Sequence, residues 1–304
     1  MRALATSRAA RGLLDDAAVI DFGGRSLVLT HDMLVEGVHY LPDDAPEDVA
    51  WKLVAVNLSD LAAKGARPLG ALLGYSLAAD DAWNAAFASG LATALGAFGM
   101  PLLGGDTVSA PAGTPRSLGL TAIGEAQGAV PSRAGAGEGD HLWVSGSIGD
   151  AGAGLRALKE EIPRTEPLIE RYRNPRPRLE AGQRLATIVS AIMDVSDGLL
   201  IDARRMAEAS GAEIELDISL VPLSAAFLQA LGEGREARLS AATAGDDYEL
   251  LFTAAPDRAA EVLALSDELG LPLSRIGAVT HGSGLRLVHR GEPVPLPERL
   301  GWEH

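Results

Sequence analysis

Acidic residues at the ends of apolar segments are the feature of this sequence best suited to chemistry. The run Ser26-Leu27-Val28-Leu29 leads directly into Thr30-His31-Asp32, and further acids recur in well-separated places. These acids are Asp15, Asp16, Asp60, Asp106, Asp194, Asp197, Asp246 and Asp247. Magnesium prefers oxygen ligands and commonly bridges carboxylates to phosphate oxygens. The pattern therefore predicts several Mg²⁺ ions that carry a nucleotide, and hence a small-molecule phosphotransferase.

Two simpler interpretations stand beside this one. A single aspartate at such a position is ordinarily a helix cap or a turn residue, but capping explains less well why acids stand beside Gly, Ser or Thr in five separate places. The stretch Gly152-Ala153-Gly154-Leu155-Arg156-Ala157 also fits the dinucleotide fingerprint GxGxxA, in a chain that has 35 glycines. A dinucleotide-binding oxidoreductase is therefore a competing hypothesis.

The composition limits the partners. A chain of 304 residues, 47% of them hydrophobic, can form two domains with separate cores. A net charge of −15 would repel nucleic acid, and the absence of cysteine excludes disulfides and thiolate sites and fits a cytoplasmic protein. Residues 82–105 carry no charge and are about long enough to span a bilayer. Pro101 interrupts them, so we predict a buried helix followed by a buried strand, and no membrane span.

The N-terminal half reads as an alternating α/β unit. Residues 17–20 and 26–29 predict two strands joined by a hairpin at Gly23-Gly24, which brings Asp15-Asp16 beside Thr30-His31-Asp32. Pro46 followed by acids predicts the start of a helix that carries Asp60 and ends near Gly65. The other elements expected in this half are strands at 69–77, 101–103 and 117–124 and a helix that starts at residue 80.

The second half begins after a glycine-rich linker at residues 132–140. We therefore predict an N-terminal domain of residues 1–135 and a C-terminal α/β domain of residues 136–304. In the latter, a short strand at 191–193 ends in Asp194-Val195-Ser196-Asp197-Gly198, and a helix follows over 199–210. A strand end that leads into a helix start is a common place for ligand contacts in α/β folds.

The sequence contains no Walker A motif and no protein-kinase catalytic set, so a kinase would have to bind its nucleotide by another route. Seven stretches instead closely resemble, in order along nearly the whole chain, the thiamine-monophosphate kinases of the aminoimidazole ribonucleotide synthetase superfamily. The stretches are Asp15-Asp16-Ala17-Ala18, Thr30-His31-Asp32-Met33-Leu34-Val35-Glu36-Gly37-Val38-His39, Ala55-Val56-Asn57-Leu58-Ser59-Asp60-Leu61-Ala62-Ala63-Lys64-Gly65-Ala66, Gly104-Gly105-Asp106-Thr107, Asp194-Val195-Ser196-Asp197-Gly198-Leu199, Asp246-Asp247-Tyr248-Glu249-Leu250 and Gly301-Trp302-Glu303-His304.

The resemblance implies ATP-dependent phosphorylation of thiamine monophosphate to thiamine diphosphate by direct in-line transfer with several Mg²⁺ ions, and it leaves a K⁺ requirement open. It also implies that the N-terminal α/β domain binds ATP and magnesium, that the C-terminal α/β domain completes the active site, and that the protein is a homodimer whose N-terminal sheets join. Carried over by position, the implied metal-binding residues are Asp16, Thr30, His31, Asp32, Asp60, Asp106, Asp194 and Asp197. The implied nucleotide contacts are Phe98, Gly105, Asp106, Arg133 and Ser196, and the implied substrate contacts are His39, Asp246 and Trp302.

The expected mechanism places Mg²⁺ on Asp32, Asp60 and Asp106, where it neutralises the transferring phosphates, so that positioning and charge neutralisation supply most of the rate. Other interpretations remain open at this point. The first is another ATP-dependent enzyme of the same superfamily, and the second is a non-catalytic module that binds nucleotides or divalent cations. The family also often has glutamate where this chain has Asp246.

Overall fold

The computed structural model describes residues 2–77, 80–111 and 113–303. Two β-sheets carry the fold: one of order β1-β2-β5-β3-β4 and one of order β12-β11-β8-β10-β6-β9-β7. The strands are β1 (Ala18–Phe22), β2 (Arg25–Val35), β3 (Arg67–Leu77), β4 (Leu102–Ser109), β5 (Ser117–Ala126), β6 (His141–Ser145), β7 (Ala191–Val195), β8 (Glu213–Asp217), β9 (Glu249–Ala254), β10 (Leu273–Thr280), β11 (Gly284–His289) and β12 (Glu292–Pro293). The α-helices are α1 (Pro46–Ala63), α2 (Asp81–Ala97), α3 (Asp150–Leu158), α4 (Glu166–Arg173), α5 (Leu179–Leu185), α6 (Leu199–Ser210), α7 (Ala225–Leu231), α8 (Arg235–Ala242) and α9 (Ala259–Leu269). The expected α/β fold is confirmed.

The first sheet begins with the hairpin that the glycine pair predicts. Gly23 and Gly24 have φ values of +61° and +81°, a conformation that glycine adopts without steric cost, and Ala18 pairs with Leu29 across β1 and β2. β2 continues antiparallel to β5 as far as Val35. The hairpin therefore places the chain before β1 beside the middle of β2, where Thr30 and Asp32 lie.

Helix α1 is the central element between the two sheets. Pro46 stands in its first turn together with Glu47 and Asp48. Proline loses no helix hydrogen bond at this position, and the acids are attracted to the positive end of the helix dipole. From residue 49 to residue 63 every side chain except Trp51 is buried. A helix that is buried all round packs on several sides, and α1 contacts β2, β5, α2, α5 and β7. It thus connects the acids of both halves.

The expectation of a buried strand after α2 is wrong. All eight residues of β4 are exposed, and Leu102, Leu103 and Val108 keep about half of their surface in solvent. The reason is topological, because β4 is the edge strand of its sheet and, within the described ranges, no further strand pairs with its outer side. No helix in the described ranges is long and apolar enough to cross a membrane.

The second sheet contains the strand, loop and helix that the sequence predicts around residue 194. β7 is buried throughout, and Gly198, with a φ of +132°, turns the chain into α6. All strands of the first sheet end by residue 126, and all strands of the second begin at residue 141 or later. The boundary between residues 135 and 136 stays a prediction.

Candidate active site

Three buried carboxylates from three different elements form what we call the acid cluster. Asp16 precedes β1, Asp60 lies in the last turn of α1, and Asp194 lies in β7. One carboxylate oxygen from each lies within 4.8 Å of the other two. The ligands are hard oxygen donors only, which is the donor set that Mg²⁺ prefers. The acid cluster therefore fits a magnesium site.

The environment of the acid cluster opposes its negative charge. Burial, reinforced by the charges of Asp32, Asp194 and Asp16, raises the pKa of Asp60 well above its usual value. Burial and the Asp16 charge likewise raise the pKa of Asp194. Neighbouring hydroxyls partly compensate, because Thr30 Oγ1 donates to Asp60 Oδ2 and Ser59 Oγ donates to Asp194 Oδ2 at 2.7 Å. The raised pKa values favour the protonated forms of Asp60 and Asp194, and a bound cation would compete with those protons.

Basic side chains compensate the acids that precede β1. The buried ammonium of Lys64 lies 2.5 Å from Asp15 Oδ1 and 2.7 Å from Asp16 Oδ2. Arg133 forms an ion pair with the other oxygen of Asp16. Burial disfavours the Asp15 carboxylate, but the attraction of Lys64 outweighs it and lowers the pKa of Asp15 to about 2. Lys64 thus keeps the Asp15 carboxylate ionised and, through its two ion pairs, holds the loop before β1 in place.

A buried carboxylate of α6 holds the loop between β7 and α6 in place. Asp202 Oδ2 accepts from the backbone N–H groups of Ser196, Asp197 and Gly198 at 3.1, 3.1 and 3.3 Å. Arg205 bridges Asp202 and Asp197 at 2.8 and 2.5 Å. Burial raises the pKa of Asp202 to about 7 despite the nearby arginine. The loop therefore presents Ser196 and the Asp197 carboxylate in a fixed conformation.

The substrate contacts implied by the resemblance line the same cavity as the acid cluster. Its volume is about 530 Å³. The backbone N–H of Trp302 donates to Asp197 O at 2.8 Å, and this close approach needs Gly301, because a Cβ there would lie 2.4 Å from the same oxygen. The expected site residues that line the cavity are Asp16, Asp32, His39, Asp60, Arg133, Asp194, Ser196, Asp197, Asp246 and Trp302. His304 of the C-terminal motif lies outside the described residues.

Four expected site residues lie elsewhere in the single chain. Asp106 and Gly105 are on β4, which β5 and β3 separate from β2, so the backbones of β2 and β4 are roughly 14 Å apart at the usual strand spacing. Phe98 packs on Trp51, with ring centroids 5.1 Å apart. His31 lies on the opposite face of β2 from Thr30, with its Nδ1 2.9 Å from Thr121 Oγ1. Thr30 itself is buried beneath the cavity.

The register of the first sheet places Asp106 and His31 on one face. Asp106 pairs with Gly74, Gly74 pairs with Gly119, and Gly119 pairs with Met33, so these positions share a face. His31 is two residues from Met33 and lies on that face, whereas Asp32 lies on the other. Helix α1 does not cover the face that holds Asp106. The expectation that Asp32, Asp60 and Asp106 converge is therefore not met within one chain.

The GxGxxA stretch has a packing role. Gly152 and Gly154 lie inside α3 rather than in a loop between strand and helix. A Cβ on Gly154 would lie 2.1 Å from Leu168 O, and one on Gly152 would lie 2.3 Å from Ala244 Cβ. These glycines allow α3 to approach α4 and the loop before Gly245 closely. The feature that supported a dinucleotide site is thus explained by helix packing.

Several charged residues of the site were not singled out by sequence reasoning. Lys64 and Arg205 neutralise Asp16 and Asp197, and Lys52 contacts Asp246. For the two lysines, the sequence signal is a lysine within or next to an otherwise apolar helix, because buried lysines are nearly always paired. That signal predicts that the lysine is paired, but it does not identify the carboxylate.

The sequence matches the AIR synthase related protein family, with the N-terminal domain over residues 14–126 and the C-terminal domain over residues 137–290. A thiamine-monophosphate kinase of Caulobacter vibrioides is 41% identical over 300 residues, which cover 96% of this chain and 84% of that protein. A thiamine-monophosphate kinase of Salmonella typhimurium is 37% identical over 302 residues, covering 96% of this chain and 91% of that protein. The solved structure of AaThiL complexed with AMPPCP and TMP is similar at a TM-score of 0.86 and 31% identity, covering 100% of this chain and 94% of that chain. These findings confirm the resemblance that the seven stretches indicate.

Proposed function

Because this chain belongs to the thiamine-monophosphate kinases within the AIR synthase related protein family, we propose that it phosphorylates thiamine monophosphate to thiamine diphosphate with ATP. The observation that carries the proposal is the shared cavity. It has the acid cluster together with His39, Asp246 and Trp302 in its lining. A site that holds cations beside polar and aromatic groups suits the transfer of a phosphoryl group to a small phosphorylated acceptor.

The chain's own residues have separate tasks in this reaction. Asp16, Asp60 and Asp194 would hold Mg²⁺, with Asp32 beside them, and bound magnesium supplies neutralisation of phosphate charge. Arg133 lines the cavity, and its guanidinium can pair with a phosphate oxygen. We propose direct transfer: the bond from the γ-phosphorus to the ADP oxygen breaks as a bond forms to a phosphate oxygen of thiamine monophosphate. No side chain becomes phosphorylated.

We further propose that the protein is a homodimer whose first sheets join through their uncovered faces. The support is the set of exposed apolar side chains that share a face with Asp106, which are Met33, Leu72 and Val108. A second copy on this surface would cover it and place Asp106 and Gly105 of its own β4 against the face that carries His31. Asp106 and His31, both implied metal-binding residues, would then lie on the same side of the interface, on the opposite face of the sheet from Asp32. The solution mass of the protein tests this directly, and a monomer at micromolar concentration would refute it.

Turnover tests the proposed activity. The purified protein is incubated with ATP, Mg²⁺ and thiamine monophosphate, and thiamine diphosphate and ADP are measured. We expect equal amounts of both products, and a K⁺ titration in the same assay reports whether the activity needs that ion. ATP hydrolysis without thiamine diphosphate would favour another ATP-dependent enzyme of the superfamily, and nucleotide binding without turnover would favour a non-catalytic module. Since the reaction consumes ATP, we propose a cytoplasmic location.

The variant Asp32→Asn tests the role of the cavity carboxylates. Asp32 lines the cavity beside Asp60, and its backbone N–H donates to Asn57 Oδ1 at 3.0 Å, a bond that the substitution retains. We expect turnover to be lost while the circular dichroism spectrum and the unfolding midpoint stay close to those of the wild type. Full activity of this variant at ordinary Mg²⁺ concentrations would contradict the assignment.

A further inference from the structure

Lys52 is a buried cation next to the cavity to which the proposed reaction assigns no task. It lies on α1, and its side chain is 2% exposed. Its ammonium donates to Asp246 Oδ2 at 2.9 Å and to the backbone oxygen of His39 at 3.0 Å. On another side it lies 4.0 Å from the ring centroid of Tyr172 in α4. The ammonium therefore makes two hydrogen bonds and one cation–π contact.

A lysine ammonium loses much of its hydration when it is buried, so it stays charged only where partners replace the lost water. The carboxylate, the carbonyl and the aromatic ring fill that role for Lys52. Because two of its three N–H groups donate to Asp246 and His39 and its side chain is enclosed, Lys52 is placed to act on other residues rather than on a bound molecule. Any effect on the reaction must pass through Asp246 or His39.

Asp246 is held at both of its oxygens and still faces the cavity. Lys52 binds Oδ2, and Tyr248 Oη donates to Oδ1 at 3.0 Å. The side chain keeps 32% of its surface exposed, and Asp246 lines the cavity. Its backbone has a φ of +63°, in the left-handed region that a non-glycine residue rarely adopts. The surrounding contacts thus hold the carboxylate in one position at the edge of the site.

His39 is fixed in the same way from the other side of Lys52. Its Nδ1 accepts a hydrogen bond from the backbone N–H of Val35 at 3.0 Å, which leaves the proton of the neutral ring on Nε2. Its backbone oxygen accepts from Lys52. One ammonium therefore connects a carboxylate from the second half of the chain with a histidine from the first half, and both residues line the cavity.

We propose that Lys52 is a positioning residue for the acceptor substrate, one that sets the separation between the Asp246 carboxylate and His39. The proposal rests on the proposed function. Thiamine monophosphate carries a cationic ring and an aminopyrimidine, which a carboxylate recognises, and a phosphate, to which a histidine N–H can donate. With the two residues held apart at a set distance, the binding energy of both contacts is available together.

The variant Lys52→Met tests the proposal, because methionine keeps the length of the side chain and removes its charge. We expect the KM for thiamine monophosphate to rise about tenfold or more, the scale expected for loss of a hydrogen bond to a charged group. The KM for ATP and kcat should change by less than about threefold. A general loss of structure would not produce this selectivity for one substrate.

The matched control is Arg173→Met. Arg173 on α4 forms an ion pair with Asp44 at 2.8 Å, close to Tyr172, but no contact joins it to Asp246 or His39 among the described residues. This variant removes one cation from the same region and should leave the KM for thiamine monophosphate unchanged. Equal effects of the two variants would overturn the proposal.

A double-mutant cycle with Asp246→Asn shows whether Lys52 acts through Asp246. We expect the double variant to raise KM no more than Asp246→Asn alone, and independent, multiplying effects would overturn the proposal. If Lys52→Met does not fold, Tyr248→Phe replaces it in the cycle. That variant removes the other hydrogen bond to Asp246, and it should also raise the KM for thiamine monophosphate selectively.

Calorimetric titration with thiamine monophosphate, in the presence of a non-hydrolysable ATP analogue and Mg²⁺, separates this proposal from the proposed function. A wild-type protein that neither binds nor phosphorylates thiamine monophosphate would refute both. A wild-type protein that does both, together with a Lys52→Met variant of unchanged affinity, would refute the role of Lys52 alone.

Discussion

Replacing Asp60 by asparagine should stabilise the metal-free protein while removing its capacity to bind magnesium. Asp60 lies in the acid cluster, and burial together with the charges of Asp32, Asp194 and Asp16 raises its pKa well above 3.8. The folded protein must therefore keep a proton on Asp60 at a pH where the unfolded chain has released it. Asparagine has nearly the same shape and needs no proton. Sites that bind a charged ligand commonly lose stability in this way.

The size of the effect follows from proton linkage. Above pH 3.8 the unfolded chain ionises Asp60 and the folded protein does not, so each pH unit costs the folded state about 1.4 kcal/mol until the folded pKa is reached. Since a hydrogen bond to the Thr30 hydroxyl remains possible, we expect Asp60→Asn to raise the free energy of unfolding at pH 7 by about 0.5–2 kcal/mol, the usual size of a stabilising replacement. Near pH 4 the difference should be close to zero.

Urea unfolding in EDTA at pH 4.5 and pH 7.5 measures both values, and Asp43→Asn is the control. Asp43 is an exposed aspartate outside the acid cluster, so its replacement should change stability by less than about 0.5 kcal/mol at either pH. A thermal scan with added Mg²⁺ completes the test, since the wild type should gain stability and Asp60→Asn should gain little. The reasoning fails if Asp60→Asn is less stable than the wild type at pH 7.5, or if its advantage is the same at both pH values.

Two further predictions concern the charges around the acid cluster. Lys64→Met should lower the free energy of unfolding by about 3–5 kcal/mol, because it leaves the buried Asp15 and Asp16 carboxylates without their shared ammonium. The lowered pKa of Asp15, about 2, contributes stability that is present above pH 3.8 and lost towards pH 2, and urea unfolding should show this acid loss diminished in the variant. Because their raised pKa values favour protonation of Asp60 and Asp194, Mg²⁺ competes with protons there, so its apparent affinity should rise with pH, with proton release detected by calorimetry in buffers of different ionisation enthalpy. A pH-independent affinity would contradict the protonated cluster.

Local patterns in the sequence predict elements that depend on near neighbours. The hairpin at Gly23-Gly24, the start of α1 at Pro46, and the turn from β7 through Gly198 into α6 all follow from turn chemistry, helix-start residues and apolar runs. The same patterns place Asp16 before a strand, Asp60 in a helix and Asp194 at the end of a strand, as the structure does. The sequence predicted that acids in such positions meet at one site, since ligands in α/β folds commonly bind where strands end and helices begin.

Other features depend on contacts between distant parts of the chain. The order β1-β2-β5-β3-β4 puts β4 at an edge, so Asp106 lies far from Asp32 although both follow apolar runs. The local sequence pattern does not specify the order of the strands in a sheet. It also does not specify which face of the sheet is covered by a helix and which is left open. The buried lysines show the same limit, because the sequence shows a lysine in an apolar helix but not which carboxylate it meets.

The sequence by itself determined the α/β class, most element positions, the family, and the oxygen-rich character of the site, because each of these rests on residue type and short-range spacing. Only the tertiary structure decided which acids share a cavity, which cations compensate them, and that Lys52 joins His39 to Asp246. The physical reason is that burial and ion pairing are set by packing between elements far apart in the chain. Within Thr30-His31-Asp32, the side chains of Thr30 and Asp32 face α1 and the acid cluster, whereas the side chain of His31 lies on the face that carries Asp106.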